Sequence, residues 1–231
     1  MVNTDSFFYS LKQSGVDLFT GVPDSLLKNI CAFITDNTSP ENHIIAANEG
    51  NAISIGIGHH LATKKTPLIY LQNSGLGNII NPLLSLVDPD VYSIPMILLI
   101  GWRGEPGVAD EPQHIKQGRI TTGLLDVMKI PYEILSSETS SEESDQIVKR
   151  IVQQASTLNA PCALLVKKGT FSSYKLKLDN YYKRDLYREQ VIEIIINEIS
   201  SDDIVVSTTG VASRELFEYR AKKSQSHEKD F

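Results

Sequence analysis

Six short strand-like runs, separated by segments of helical periodicity, constrain the fold of this chain more than any other feature. They cover residues 17–21, 44–47, 68–71, 96–100, 132–135 and 163–166. Residues 96–100 are apolar at every position, as a strand is when helices cover both faces of a parallel sheet. The pattern predicts an α/β fold: a doubly wound sheet of about six mainly parallel strands with helices on both faces. Catalytic loops should then follow the carboxyl ends of the strands.

The segments outside the strands predict how the chain is divided. Residues 5–14 and 24–35 have helical spacing, and Ser140 begins a capping box that opens a helix through Thr157. Residues 173–184 have no clear period and predict a linker. Beyond the linker, helical spacing at 185–199 and 212–223 flanks one strand-like run at 204–207. Because one strand and two helices cannot bury a core, we expect a domain at 1–172, a linker at 173–184 and a second domain cut short at 185–231.

Composition argues against several classes of function. A net charge of -6 disfavours nucleic-acid binding, which needs a clustered basic face. No apolar run approaches the roughly 20 residues of a membrane span, and the N-terminus lacks the pattern of a secretory signal. Cys31 and Cys162 stand in apolar surroundings without redox or metal-ligand spacing, which favours buried free thiols. We expect a cytoplasmic protein with a small-molecule partner.

Glu49 is the strongest candidate for a functional side chain. It follows the second predicted strand and begins a helix that contains Gly50, Ala52, Gly56 and Gly58. Small residues leave room there for a flat ring. A lone glutamate at this position would ordinarily do no more than stabilise the helix through its dipole. The neighbouring loops decide between these two interpretations.

Three further loops follow predicted strands and should meet Glu49 at one edge of the sheet. They are residues 21–25 (GVPDS), 73–78 (NSGLGN) and 101–118, which run from GWRGEPG to DEPQHIKQG. Together with 46–52 (AANEGNA), these loops resemble the phosphonopyruvate decarboxylases, which are thiamine diphosphate-dependent 2-oxo acid decarboxylases. The resemblance continues through 209–216 (TGVASREL), which looks like the start of that family's diphosphate-binding domain.

The resemblance implies a function for each part of the chain. Residues 1–172 would form the pyrimidine-binding domain, and 185–231 a truncated start of the diphosphate-binding domain. The reaction would be decarboxylation of 3-phosphonopyruvate to phosphonoacetaldehyde and CO2, in 2-aminoethylphosphonate biosynthesis. The carboxyl group of Glu49 would hydrogen-bond the aminopyrimidine, so that its amino group can deprotonate C2 of the thiazolium.

The same resemblance assigns further site residues. Asp24 and His114 would carry protons. Cofactor contacts would come from Asn73, Gly75, Gly77 and Asn78, and substrate contacts from Ser25, Arg103, Gln113 and Lys116.

Each loop taken alone also has a plainer interpretation. Asp24 could simply cap the following helix, residues 73–78 could form a flexible turn, and His114 could be a solvated loop histidine. Arg103 and Lys116 could form ion pairs with Glu105 or Glu111.

The cofactor site expected from the resemblance is incomplete in residues 1–231. The Gly-Asp-Gly motif and later asparagine that hold the diphosphate and Mg2+ are absent, so no metal ligand is assigned to this chain. We expect these residues alone to be inactive. We expect the complete enzyme to be a homo-oligomer with its active site between subunits.

Two alternatives stay open. A sulfopyruvate decarboxylase subunit would share nearly all of the chemistry, although the residues after Phe171 argue against a dedicated subunit. A non-catalytic α/β module would bind its ligand without thiamine dependence.

Overall fold

The computed structural model describes residues 1–177, 185–208 and 210–231. These residues belong to two compact units, Met1–Leu178 and Asp179–Phe231. Residues 178–184 of the predicted linker, and Thr209 of the TGVASREL motif, lie outside the described residues. No helix among the described residues is both long and apolar enough to cross a membrane.

The first unit is built on a six-stranded sheet in which every pairing is parallel. Its order is β2-β1-β3-β4-β6-β5. The strands are β1 (Phe19–Gly21), β2 (His43–Ile45), β3 (Leu68–Gln72), β4 (Met96–Gly101), β5 (Tyr132–Leu135) and β6 (Pro161–Val166). The predicted fold class is therefore confirmed.

Helices cover both faces of this sheet. They are α1 (Thr4–Gln13), α2 (Lys28–Asn37), α3 (Glu49–Thr63), α4 (Leu76–Pro82), α5 (Pro112–Val127) and α6 (Ser141–Leu158). Alternate residues of the central strands enter two separate cores: Leu99 packs with α1, α2 and α6, whereas Leu98 packs with α3, α4 and α5. Strands β4 and β6 are buried at every position, which explains why their sequences do not alternate.

Local signals fix where several helices begin. The side chain of Asn48 accepts a hydrogen bond from the Asn51 amide and caps α3, which places Glu49 at the first helical position. Ser140 caps α6 by accepting a hydrogen bond from the Glu143 amide, which is one of the two contacts of the predicted capping box; no return hydrogen bond from the Glu143 side chain forms among the described residues. Glu49 is therefore held in a fixed register directly beyond the edge strand β2.

Three predicted elements differ from the structure. Helix α2 begins at Lys28 rather than at residue 24, because Asp24 closes a separate turn before it. The segment around His114 is the first turn of α5 rather than a loop, since Pro112 occupies the N-terminal position that proline favours. Residues 204–207 form no strand, only an isolated bridge between Val205 and Asp230.

The second unit contains α7 (Arg188–Glu198) and α8 (Val211–Lys222). Arg188 forms a two-pronged ion pair with Glu215. Within its described residues, Ile196 and Leu216 are the buried apolar side chains. The assignment of this unit to a diphosphate-binding domain stays a prediction.

Candidate active site

Glu49 lies at the carboxyl edge of the sheet with its two carboxylate oxygens in different surroundings. Oε2 accepts a hydrogen bond of 2.7 Å from Nδ2 of Asn78. Oε1 lies over Gly75, where an added Cβ would come within 2.5 Å of it. Among the described residues Oε1 has no hydrogen-bond donor, and the side chain is only partly buried. Glu49 is thus oriented by Asn78 and keeps one oxygen for a ligand.

Gly75 leaves a bare backbone surface beside this carboxylate. It belongs to a short 3-10 turn, Asn73–Gly75, between β3 and α4. Because any larger residue would fill the space against Glu49, the turn forms a shallow cradle for a flat group. This geometry fits the aminopyrimidine ring that the sequence resemblance implies.

Asp24 is buried at the end of β1, with 5% of its surface exposed. Its Oδ2 accepts a hydrogen bond from the amide of Leu26, and its Oδ1 accepts one of 2.7 Å from Nε2 of Gln72. Oε1 of Gln72 in turn accepts a hydrogen bond from the Ser74 hydroxyl. This second contact fixes which end of the amide faces Asp24. A directional polar chain therefore connects Asp24 to the turn that carries Gly75.

Asn73 is buried and uses its side chain within the protein. Its Nδ2 donates to the Arg103 carbonyl and to Oγ1 of Thr121, and its Oδ1 accepts from the Arg103 amide. The side chain thus ties the loop after β3 to the loop after β4 and to α5. The predicted contact of Asn73 with the cofactor stays a prediction. Because the side chain is already engaged, this contact would have to come from the Asn73 backbone.

Arg103 is paired with Asp110 within the loop after β4. Its Nε and Nη2 donate to the two oxygens of Asp110, and its Nη1 donates 3.0 Å to the Ser25 hydroxyl. The Arg103 guanidinium holds the pKa of the Asp110 carboxyl well below its usual range, and amide hydrogen bonds from Gly104 and Glu111 add to this effect. Asp110 therefore keeps its charge and holds the arginine in place.

The same loop is closed tightly against α5. A Cβ added to Gly104 would lie 1.9 Å from the His114 carbonyl oxygen, and one added to Gly118 would lie 1.7 Å from the Gly104 oxygen. The indole of Trp102 donates to the Gly118 carbonyl. These contacts require glycine at both positions and set the position of the half-buried His114.

A cleft of about 430 Å³ opens beyond β1, β4 and β6. Its polar lining includes Ser25, Lys28, Arg103, Asp110 and Lys168. Of the predicted substrate residues, Ser25 and Arg103 meet here. Gln113 and Lys116 are exposed on α5 and do not line it.

Several predicted cofactor residues are brought together and one is not. Glu49, Gly75 and Asn78 are in direct contact or close approach. Gly77 is exposed on α4, and nothing lies within 4 Å of a Cβ added there.

Four polar residues of this region have no role in the sequence prediction. They are Gln72, Asp110, Lys28 and Lys168. Gln72 ends an otherwise apolar strand, and Lys168 is the second residue after β6. Both therefore lie at the carboxyl ends of strands, where functional side chains concentrate. Their position at strand ends was the sequence signal that could have identified these two residues.

The two cysteines carry thiols of raised pKa, and Cys31 lies close enough to Asp24 for that carboxylate to contribute to the shift. Both are free thiols, as predicted. Burial raises the pKa of Cys31 and of Cys162 to about 12, so neither is a reactive thiolate near neutral pH.

The site can therefore orient the Glu49 carboxylate toward a planar ligand and shield the carboxylate of Asp24.

A family model described as "Thiamine pyrophosphate enzyme, N-terminal TPP binding domain" matches residues 1–126.

Relatives with decarboxylase names match most of this chain. Phosphonopyruvate decarboxylase of Streptomyces viridochromogenes is 30% identical over 232 residues, covering 94% of this chain and 57% of that protein. Sulfopyruvate decarboxylase subunit alpha of Methanococcus maripaludis is 32% identical over 163 residues, covering 71% of this chain and 93% of that subunit. A longer sulfopyruvate decarboxylase, from Methanosarcina acetivorans, is 27% identical and covers 92% of this chain and 58% of its own length.

A solved structure supports the fold alone. Benzoylformate decarboxylase from Polynucleobacter necessarius superimposes with a TM-score of 0.52 at 16% identity, covering 88% of this chain and 37% of that one. Among the sequence relatives, this chain spans little more than half the length of the phosphonopyruvate decarboxylase that it matches.

Proposed function

This chain belongs to the thiamine pyrophosphate enzymes, and from that premise we propose that it is the pyrimidine-binding part of a 2-oxo acid decarboxylase. The observation that carries the proposal is the arrangement of Glu49, with Oε2 held by Asn78 and Oε1 open above Gly75. An oriented carboxylate beside a bare backbone surface suits an aminopyrimidine ring.

Glu49 would accept a hydrogen bond from the pyrimidine and so increase the basicity of its amino group. Thiamine diphosphate, when bound, supplies the electron sink that makes loss of CO2 from a 2-oxo acid possible. Asn78 prevents the carboxylate from rotating away, which preserves the geometry on which this hydrogen bond depends.

Asp24 is proposed to move a proton at the reacting carbon. Its support is a buried carboxylate held by Gln72 and the Leu26 amide at the same edge of the sheet as Glu49. His114 keeps a proposed acid or base role from its position on the first turn of α5.

The diphosphate and Mg2+ are proposed to bind to residues that this chain does not supply. We use "assembled enzyme" for this chain together with those diphosphate-binding residues. A homo-oligomer with the site between subunits remains part of the proposal, as does inactivity of residues 1–231 alone.

We propose 3-phosphonopyruvate as the substrate, with sulfopyruvate as the second candidate. Similarity to a phosphonopyruvate decarboxylase extends through 94% of the chain, which supports the first. The residues after Phe171 do not discriminate between the two substrates, however, because the longer sulfopyruvate decarboxylase also matches 92% of the chain. The polar cleft beyond β1, β4 and β6 is therefore the feature on which the choice depends.

Glu49→Gln tests the function. The substitution keeps the side-chain shape but removes the carboxylate, so deuterium exchange at C2 of thiamine diphosphate in the assembled enzyme should fall by at least about 100-fold. Glu41→Gln is the matched control, because Glu41 is exposed before β2, at the opposite end of that strand from Glu49. Exchange at the unmutated rate in Glu49→Gln would refute the proposal. Binding of 2-oxo acids without thiamine dependence would favour the non-catalytic module.

A further inference from the structure

We propose that the cleft beyond β1, β4 and β6 binds the phosphonate group of the substrate, and that Lys28 and Lys168 are its charge-bearing residues. The inference rests on the proposed decarboxylase function and specifies the substrate class of that site.

The charge balance of the cleft supports an anionic ligand. Its two lining carboxylates are already neutralised, since Asp110 is paired with Arg103 and Glu105 with Lys167. Lys28 and Lys168 also line the cleft, and neither forms an ion pair with any described residue. Among the lining residues, two positive charges therefore remain unpaired, which matches the two negative charges of a fully ionised phosphonate. The carboxylates of Asp24 and Glu111, which do not line the cleft, act on the Arg103 guanidinium beside it.

The two lysines reach the cleft from different elements. Lys28 is the first residue of α2, whose N-cap position is Leu27, so no side chain caps the first turn. The positive end of the α2 dipole therefore adds to the charge of Lys28. Lys168 lies in the turn after β6, next to Gly169 at a φ of +76. This turn leads to Phe171, which also lines the cleft.

Ser25 and Arg103 complete the site as hydrogen-bonding residues. The Ser25 hydroxyl accepts from Nη1 of Arg103, so its own proton remains available to a phosphonate oxygen. Asp110 occupies the other donors of Arg103 and keeps the guanidinium beside the cleft. A volume of about 430 Å³ is ample for a three-carbon phosphonate.

The inference is tested with residues 1–231 and methylphosphonate, a probe that carries the phosphonate without the 2-oxo acid. Binding is followed at pH 8 and low salt by NMR, from the backbone amide shifts of Lys28 and Gly169. Lys28→Gln and Lys168→Gln should each weaken binding by about five- to tenfold, because each removes one charged partner. Lys12→Gln is the matched control, since Lys12 is exposed on α1 and does not line the cleft.

Two further anions distinguish the source of the ligand. Methanesulfonate, with one negative charge, should bind at least about fivefold more weakly than methylphosphonate. Equal binding of the two would overturn the phosphonate assignment in favour of a sulfonate. Inorganic phosphate that bound more than tenfold tighter than methylphosphonate would assign the cleft to free phosphate and also overturn it.

The remaining outcomes are equally decisive. Absence of methylphosphonate binding, or binding that both lysine variants leave unchanged, would overturn the inference. Glu49→Gln tests the phosphonate-binding inference separately from the proposed function. In the assembled enzyme this variant should lose C2 exchange, whereas residues 1–231 with the same substitution should still bind methylphosphonate. If Glu49→Gln left exchange intact, the decarboxylase proposal would fail, and the lysine variants would still decide whether the cleft binds phosphonates.

Discussion

Gly75→Ala tests the geometry of the Glu49 carboxylate most directly. A Cβ on Gly75 would lie 2.5 Å from Oε1 of Glu49 and 2.6 Å from its Cδ and Cγ. The φ of Gly75 is -72, so alanine meets no backbone strain and the collision falls on Glu49. Since ordinary contact begins at 3.4 Å, the carboxyl group must withdraw by about 0.9 Å.

This displacement converts into an expected rate. A hydrogen bond of about 2.8 Å to the pyrimidine would lengthen to about 3.7 Å, where it no longer contributes. Misplacing a reacting group by about 1 Å costs on the order of 100-fold in rate, or about 2.7 kcal/mol of activation free energy. We therefore expect Gly75→Ala to slow C2 deuterium exchange in the assembled enzyme by about 100-fold.

Gly77→Ala is the matched control two residues away. Nothing lies within 4 Å of a Cβ at Gly77, which is exposed on α4. Alanine there should leave exchange unchanged and stabilise the unit by about 0.5–1 kcal/mol through its helix propensity. Urea unfolding followed by fluorescence of Trp102, the single tryptophan, checks that both variants are folded. Unmutated exchange in a folded Gly75→Ala variant would refute the reasoning, as would equal slowing in both variants.

Three further predictions concern stability, measured by the same urea unfolding. Gln72→Glu sets a second carboxylate at hydrogen-bond distance from Asp24, so the variant should lose stability at pH 8 through like-charge repulsion and lose less of it in acid. A loss independent of pH would contradict this. Because folding lowers the pKa of Asp110, this carboxylate stabilises the protein at pH values above its pKa in the unfolded chain, near 3.9. Asp110→Asn should therefore destabilise from pH 8 to about pH 5 and differ less from the unmutated protein below about pH 4, whereas a difference that is constant with pH would contradict this. Gly118→Ala should destabilise by about 3 kcal/mol or more because its Cβ meets a backbone oxygen, whereas Gly123→Ala in the same helix should be neutral or stabilising; similar effects would contradict the packing.

The sheet was predictable because buried parallel strands carry a strong local signal. Residues 132–135 were placed without error, and β4 was longer than predicted by one residue, Gly101. Glu49 was singled out for a similar reason, since it stands between a strand-like run and a glycine-rich helix, and its role stays a prediction. The start of α5 was missed, although Pro112 was a signal for it.

Partner choices within the site were not predictable from the sequence. Arg103 has three acidic residues within eight positions, and only the loop geometry selects Asp110 over Glu105 and Glu111. Gln72 was missed because a single polar residue at a strand end does not reveal its contact with Asp24. That contact depends on the pairing of β1 with β3, which is a property of the whole sheet.

The strand order has a consequence for how the site comes into existence during folding. Its hydrogen bonds join residues 48 positions apart for Gln72 and Asp24, 29 for Asn78 and Glu49, and 78 for Arg103 and Ser25. No short stretch of nascent chain can form these contacts, because each waits for distant strands to pair. The site is thus among the last regions to be completed, and substitutions in its polar contacts should accelerate unfolding more than they slow refolding.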